Sequence, residues 1–477
     1  MGLTESRPPR RGGWALALTS VAFFMVTLDA LVVITALPTI GHDLKAGMST
    51  LEWTVNAYGL TTAAGIITAA ALGDRYGRRR VFVIGLALFT IASAACALAP
   101  NAGTLIAARA VQGIAAAAVM PLSLTILTGA FPAARRGAMV GIWGGIAGIA
   151  VASGPLIGGA VTQGLDWHWI FWVNVPIGLV ATILAVLRLA ESRGPATRLD
   201  LPAVGLAFGG ATSLIWTLVR ANQIGWGSPM TVAGLGLGIA LIAAFVIWEH
   251  RTASPMLPPR LFRSRSFAAA NTTAFLMTSA LMASVFLASQ YFQVVLGFSP
   301  LDTGLRFLPW TATPLLVAPA AGLLSDRVGP RPVMAAGMLL QGLGLAWFAL
   351  VATAHVGYGQ LVAPLLVAGI GVSMALPTTP AAALNAVAPA DMGKASGANN
   401  TLQRFGGAFG IAVATAVFAA NEHLGTAAGF VAGFRPALAL TAGLSVLGAI
   451  SALGVSRRRR QPASMPAKVP VAVTANA

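Results

Sequence analysis

The 477-residue sequence predicts an all-α polytopic membrane protein of fourteen transmembrane helices, arranged six, two and six, with both termini cytoplasmic. Three observations predict it. The chain is 57% hydrophobic and 9% charged, whereas soluble domains carry roughly a quarter charged residues. Its apolar stretches run to about 20 residues each, enough to cross a ~30 Å hydrocarbon layer; they are too long for barrel strands, so helices must satisfy the backbone there. A short basic loop occurs twice, at 73–80 and 325–331, each time between two apolar stretches, which marks a duplicated bundle.

The fourteen segments fall at 15–38, 52–72, 81–99, 103–127, 137–162, 169–190, 200–219, 229–248, 266–290, 302–325, 333–353, 359–382, 398–420 and 434–455. The first is too long for the core of a cleavable signal peptide and reads as an uncleaved helix. The second and third flank the first basic loop. The fourth carries Arg109, the fifth is rich in glycine around Pro155, and the sixth opens on the aromatic stretch Trp167 to Trp172. The seventh and eighth are the weakest. They lie between charged stretches, the second of which, around Pro255, Pro258 and Pro259, reads as a cytoplasmic connector. The last six repeat the first pattern.

A net charge of +17 raises nucleic acid as a partner, but its distribution does not fit one. With the N-terminus inside and sides alternating, 24 of the 30 Lys and Arg fall on the cytoplasmic side, including Arg78 to Arg80, Arg260, Arg263 and Arg457 to Arg460. Lys45, Arg220, Arg306 and Arg435 fall outside, and Arg109 and Arg404 lie within helices. This is the positive-inside pattern, and the terminal arginine run serves as a topology anchor against lipid. Cys96 is the single cysteine, so no internal disulfide exists.

The copies of the basic loop are eight segments apart, where a six-plus-six duplication would place them six apart. The expected organisation is therefore an N-terminal tail (1–14), a six-helix bundle (15–190), two inserted helices with flanking loops (191–265), a second six-helix bundle (266–455) and a basic tail expected to be disordered (456–477). Duplicated bundles of this kind build many secondary transporters.

The first loop, with Leu72, Asp74, Arg75, Gly77, Arg78 and Arg79, resembles the signature of the major facilitator superfamily, with Ala70 in place of its first glycine. The second copy keeps Gly322, Leu324, Asp326, Arg327, Gly329 and Arg331. Leu28 to Pro38 resembles the first-helix motif of the 14-helix drug:proton antiporters, the EmrB/QacA group. Gly154-Pro155-x-x-Gly158-Gly159 resembles the antiporter motif of exporters. Trp167 to Gly178 resembles the entry to that group's sixth helix, with His168 where arginine is usual. The resemblance covers nearly the whole chain. It implies the major facilitator fold and alternating access, and does not specify the substrate.

Asp29 is the one acidic residue of thirteen well inside a segment; the other twelve fall in loops or at segment ends. A carboxylate inside a membrane is costly and a functional candidate by default. The resemblance implies that Asp29 carries the coupling proton; permanent pairing with an arginine is the other reading. Arg109, in a stretch resembling the family's R-x-x-q-G, is expected at the depth of Asp29 and to tune it. Alternatively it bonds only helix carbonyls and water. Gly77 and Gly329 suit turns with positive φ, and Asp74 and Asp326 suit the N-termini of the following helices. The family implies a conformational latch from Asp74, Arg75, Gly77, Arg78, Asp326, Arg327, Gly329 and Arg331, although topology alone accounts for the arginines. In the fifth segment, Gly144, Gly148 and Ala152, and again Gly154 and Gly158, make a smooth face for close approach, and Pro155 should kink it. Asn56, Tyr58, Gln112, Gln290, Gln293, Trp310, Gln341 and Arg404 are candidate cavity residues; Arg404 is also expected to snorkel near the cytoplasmic end of its helix.

The five histidines map to loops or segment ends, no phosphate-binding loop is present, and no nucleophile–base set emerges, so no cofactor, metal or catalytic site is expected. The expectation is proton-coupled efflux of an amphipathic small molecule across the cytoplasmic membrane, by a monomer, with protons and membrane lipids as its other partners. A dedicated exporter of an endogenous metabolite or antibiotic, a proton-coupled importer, and a membrane enzyme or sensor are the alternatives.

Overall fold

The computed structural model describes residues 10–194, 200–252, 255, 257–388, 391–421 and 426–456. The first nine residues, the Arg457–Arg460 run and the tail to 477 lie outside them. The described residues are helical, without a strand.

Each expected segment is a helix. The first six are α1 (Arg10–Asp43), α2 (Met48–Tyr76), α3 (Arg78–Ala97), α4 (Ala102–Ala130), α5 (Ala133–Gly164) and α6 (Trp169–Arg188). Next come α7 (Leu201–Ile224) and α8 (Pro229–Arg251). The last six are α9 (Arg265–Val295), α10 (Pro300–Val328, in pieces), α11 (Pro330–Val351), α12 (Tyr358–Asn385), α13 (Met392–Asn421) and α14 (Ala427–Ala452). Among the described residues, twelve helices are long and apolar enough to cross a membrane, thirteen with the bent α2. The 32-residue α5 fills the remaining expected segment.

Local chemistry sets the ends. Asn101, Asp200, Ser228, Ser264 and Thr426 cap their helices by accepting from a backbone N–H three residues on. Proline divides α10 into Pro300–Arg306, Leu308–Thr311 and Thr313–Val328, since each piece begins with a proline at its first or second position. The last turn of α9, Tyr291–Val295, is π-helical.

Helices α7 and α8 form a hairpin. Trp248 Nε1 donates to both oxygens of Asp200 at 2.8 and 3.0 Å, and Ser213 Oγ donates to Gly234 O at 2.9 Å. Only 11% of the apolar window of α8 is buried, against 67% for α1, so α8 is peripheral. Helix α7 packs Ile215 against Leu60 of α2 and Ala408 and Ala412 of α13. It therefore lies across the joint between the first six and the last six helices.

On the face opposite the arginines, the two sets are bonded together. Ser289 Oγ donates to Ile34 O at 3.2 Å, Gln293 Nε2 to Thr35 O at 2.8 Å, and Leu301 N to Gln163 Oε1 at 3.1 Å.

Candidate functional site

Four helices converge on Asp29. Arg109 and Gln112 are three apart on α4 and share a face; Ser93 stands on α3 and Asn174 early in α6. Arg109 Nη1 donates to Asp29 Oδ2 at 2.5 Å, and both side chains are fully buried. Gln112 Nε2 (3.0 Å) and Asn174 Nδ2 (2.9 Å) donate to Asp29 Oδ1. Ser93 Oγ receives both amides and donates to Phe171 O. The guanidinium also reaches Gln112 Oε1 (2.7 Å) and Thr54 O of α2 (3.2 Å), and sits 4.2 Å from the centre of the Tyr58 ring. Tyr58 itself donates to Val26 O. The helices come this close because a side chain at Gly113 would meet Tyr58 O at 2.4 Å. An ionised carboxylate with three donors is thus balanced in a buried setting, where removing one partner would strand the other charge. The bonds from Asn174 and Ser93 complete a network in which the sequence assigned them no part.

The Gly-Pro stretch of α5 lies beside this network. Added side chains at Gly154 and Gly158 would meet Leu31 Cβ at 2.8 Å and Val32 O at 2.7 Å on α1, and one at Gly159 would meet Pro300 O at 2.1 Å. Pro155 O in turn approaches Gly304, where an added Cβ would lie 2.4 Å away. The stretch thus fits α5 to α1 on one side and to the start of α10 on the other. A cavity of about 520 Å³ opens between α1, α5 and α6, lined by Leu16, Val21, Phe24, Leu28, Ile146 and Asn174 among others. Asn174 belongs both to this cavity wall and to the Asp29 network.

The two basic loops share a backbone and differ in side chains. Gly77 and Gly329 have φ of 116° and 89°, and each N–H bonds the carbonyl four residues back. In the first loop Arg78 Nε donates to Asp74 Oδ1 at 2.8 Å. The anion at the N-terminus of α3 is Glu191, from the segment after α6: it accepts from the backbone N–H groups of Arg79 (3.0 Å) and Arg80 (3.2 Å). Gly77 admits it, since a Cβ there would lie 2.7 Å from the Glu191 carboxyl. Arg75 is exposed beside Tyr76. In the second loop Arg327 is exposed and Arg331 half-buried, α11 starts on Pro330, and the Asp326 side chain lies outside the described residues.

The expected cavity residues do not form one group. Tyr58 and Gln112 join the Asp29 network. Gln293 bonds α1, while Gln290, Trp310 and Gln341 are buried with unpartnered side-chain nitrogens. Arg404 is well inside α13, which begins six residues before the expected segment; it points at Met120 Sδ of α4 (3.1 Å) rather than snorkelling to the surface. Asp29 is not the only acidic residue inside a helix: α2 starts at Met48, four residues before the expected segment, and Glu52 is wholly buried within it. At the loop before α6, His168 pairs with Asp166. Desolvation opposes the charge, but hydrogen bonds from the His168 backbone and ring hold the Asp166 carboxyl below the ordinary carboxylate range.

A chain that crosses the membrane many times as helices and hides an ion pair where four of them meet has the build of a multi-pass transporter of the cell membrane. It belongs to the Major Facilitator Superfamily, whose model matches residues 19–411 and 273–474. The chain is 37% identical over 407 residues to the multidrug resistance protein Stp of Mycobacterium tuberculosis, covering 85% of this chain and 75% of that one. It is 33% identical over 402 residues to the tetracenomycin C resistance and export protein of Streptomyces glaucescens (83% and 74% covered). It is 32% identical over 463 residues to the puromycin resistance protein of Streptomyces alboniger (93% and 91% covered). Among solved structures, a POT family transporter in complex with 5-aminolevulinic acid superposes with a TM-score of 0.69 at 16% identity, over 91% of this chain and 94% of that one. That likeness concerns the fold alone.

Proposed function

We propose that this protein exports amphipathic organic compounds, drugs or antibiotics among them, in exchange for protons. The observation that carries this reading is Asn174, which bonds Asp29 and lines the apolar cavity. A compound entering that cavity disturbs the donors that hold the carboxylate charged. In the joined arrangement Asp29 is ionised and held by Arg109. Movement of α2 relative to α1 and α4 carries away Thr54 O and the Tyr58 ring, which draws the guanidinium off Asp29. The carboxyl then takes a proton, and reverses the step from the other side. Helices α1–α6 and α9–α14 act as the two moving bundles, with α7 and α8 as an insertion and the basic loops as latches at their arginine-rich ends. The chain works as a monomer.

The names of its relatives support this direction of transport, since several are resistance or export proteins. They also favour a second reading, a dedicated exporter of an antibiotic made by the same cell. The test is substrate-induced proton release in inverted vesicles, comparing the unaltered protein with Asp29→Asn over neutral and cationic lipophilic compounds. Release that vanishes in the variant is expected. Undiminished release with Asp29→Asn would remove Asp29 from the coupling path.

A further inference from the structure

Glu52 has no place in that scheme, yet its carboxyl is fully buried and both oxygens lack a hydrogen-bond partner. It lies on the stripe of α2 that faces α13. Residues 52, 56, 59 and 63 share one helical face. Thr415 faces Glu52 without closing a bond, an added Cβ at Gly59 would lie 4.0 Å from Ala408 Cβ, and Thr401 Oγ1 bonds Ala63 O at 3.4 Å. The two helices therefore run antiparallel in register, and Glu52 sits where the first six helices meet the last six, toward the face opposite the arginines. Asn56, one turn along, is also buried with both amide atoms unpartnered, as is the Thr415 hydroxyl.

No described cation answers this carboxyl. Arg109 of α4 is bound to Asp29, Arg404 of α13 to Met120, and Arg220 of α7 lies over Trp216. On α1, Asp43 receives Trp167, and His42 and Lys45 before α2 are exposed; Arg78 to Arg80 begin α3 at the other end. An ionised carboxylate without a partner in such a place is strongly unfavourable. The neutral acid costs far less, and its neighbours suit both forms: a hydroxyl and an amide each donate and accept.

We infer that Glu52 is a second proton-binding site, at the joint between α2 and α13, that holds its proton while the joint is closed and gives it up to water when the joint opens to the face opposite the arginines. On reclosure the carboxylate takes a proton back from that side, so the opening stroke releases one proton and the closing stroke consumes one. The inference rests on the proton-coupled reading for its role in transport, but not for its protonation.

Infrared difference spectroscopy of the whole protein in lipid at neutral pH tests the protonation directly. The absorption of a protonated carboxyl should be present in the unaltered protein and in Asp29→Asn, absent in Glu52→Gln, and shifted in frequency in Thr415→Val. The same absorption in Glu52→Gln and the unaltered protein would overturn the inference. In inverted vesicles, Glu52→Gln should alter the acid dependence of transport. An unchanged pH profile would overturn the inference, and so would loss confined to cationic compounds, which would make Glu52 a substrate contact. Persistent proton release in Asp29→Asn would instead count against the wider coupling scheme, leaving the infrared result to decide Glu52.

Discussion

The first six and the last six helices share an architecture and fill it with opposite chemistry. Inside α1–α6 lies a charged network of Asp29, Arg109, Gln112, Asn174 and Ser93. Inside α9–α14 lies an aromatic stack. Tyr291 and Phe434 are parallel at 4.5 Å, Phe348 meets Phe434 at 5.5 Å, and Phe292 meets Phe307 at 5.2 Å. The basic loops repeat the contrast. Glu191 answers the free N–H groups at the start of α3, while Pro330 and Pro332 remove two of them at the start of α11. Under the proposed scheme the two sets divide the labour: the first holds the ion pair, and the second presents a largely apolar body for it to work against.

The largest blow to this contrast is Arg109→Ala. It strands a buried carboxylate, and about 3–5 kcal/mol of stability should go with it. Thermal unfolding in detergent measures this, and Asp29→Asn in the same chain should restore part of the loss. Additive losses would show that the pair is not coupled. Phe434→Ala should cost roughly 3 kcal/mol through a cavity, but leave the number of protons released per substrate unchanged in vesicles; a changed ratio would erase the division of labour. Gly159→Val places a side chain against Pro300 O and should stop transport while circular dichroism still reports full helix content. Glu191→Gln should cost about 1 kcal/mol, and Pro330→Ala only a few tenths; equal losses would mean that the two loops are capped alike. The smallest effect belongs to Asp166, whose folded carboxyl titrates below the unfolded one. Its contribution is present at neutral pH and fades as pH falls below about 4. Asp166→Asn should therefore differ slightly from the parent at neutral pH and match it in acid.

Much of this was legible in the sequence. Length and hydropathy place all fourteen segments, and the cost of a charge in lipid singles out Asp29 and Arg109. The partners of the pair were less legible. Asn174 lies 145 residues from Asp29 and looks like any polar residue entering a helix. Glu191 reads as a loop charge until α6 returns it to the start of α3. Glu52 was hidden by a boundary: Gly47 caps α2 with no side-chain bond, so nothing marks where the helix begins, and a residue in its second turn passes for one at its end. The depth of Arg404, though not the residue itself, was hidden likewise, since the apolar run starts after the helix does. Hydropathy finds the greasy part of a helix, whereas burial depends on the neighbours it meets.

The hairpin of α7 and α8 has a consequence for traffic between protein and bilayer. A twofold machine has two flanks, and a molecule dissolved in lipid could slip in along either. Here α7 leans on Leu60 and Ala408 and walls off the flank along α2 and α13. The flank along α5 and α10 keeps its contact with the surroundings, and Leu316 and Leu323 face outward there. The two flanks thus meet the surroundings differently, one behind a hairpin and one bare, a lopsidedness that the repeated basic loops would not suggest.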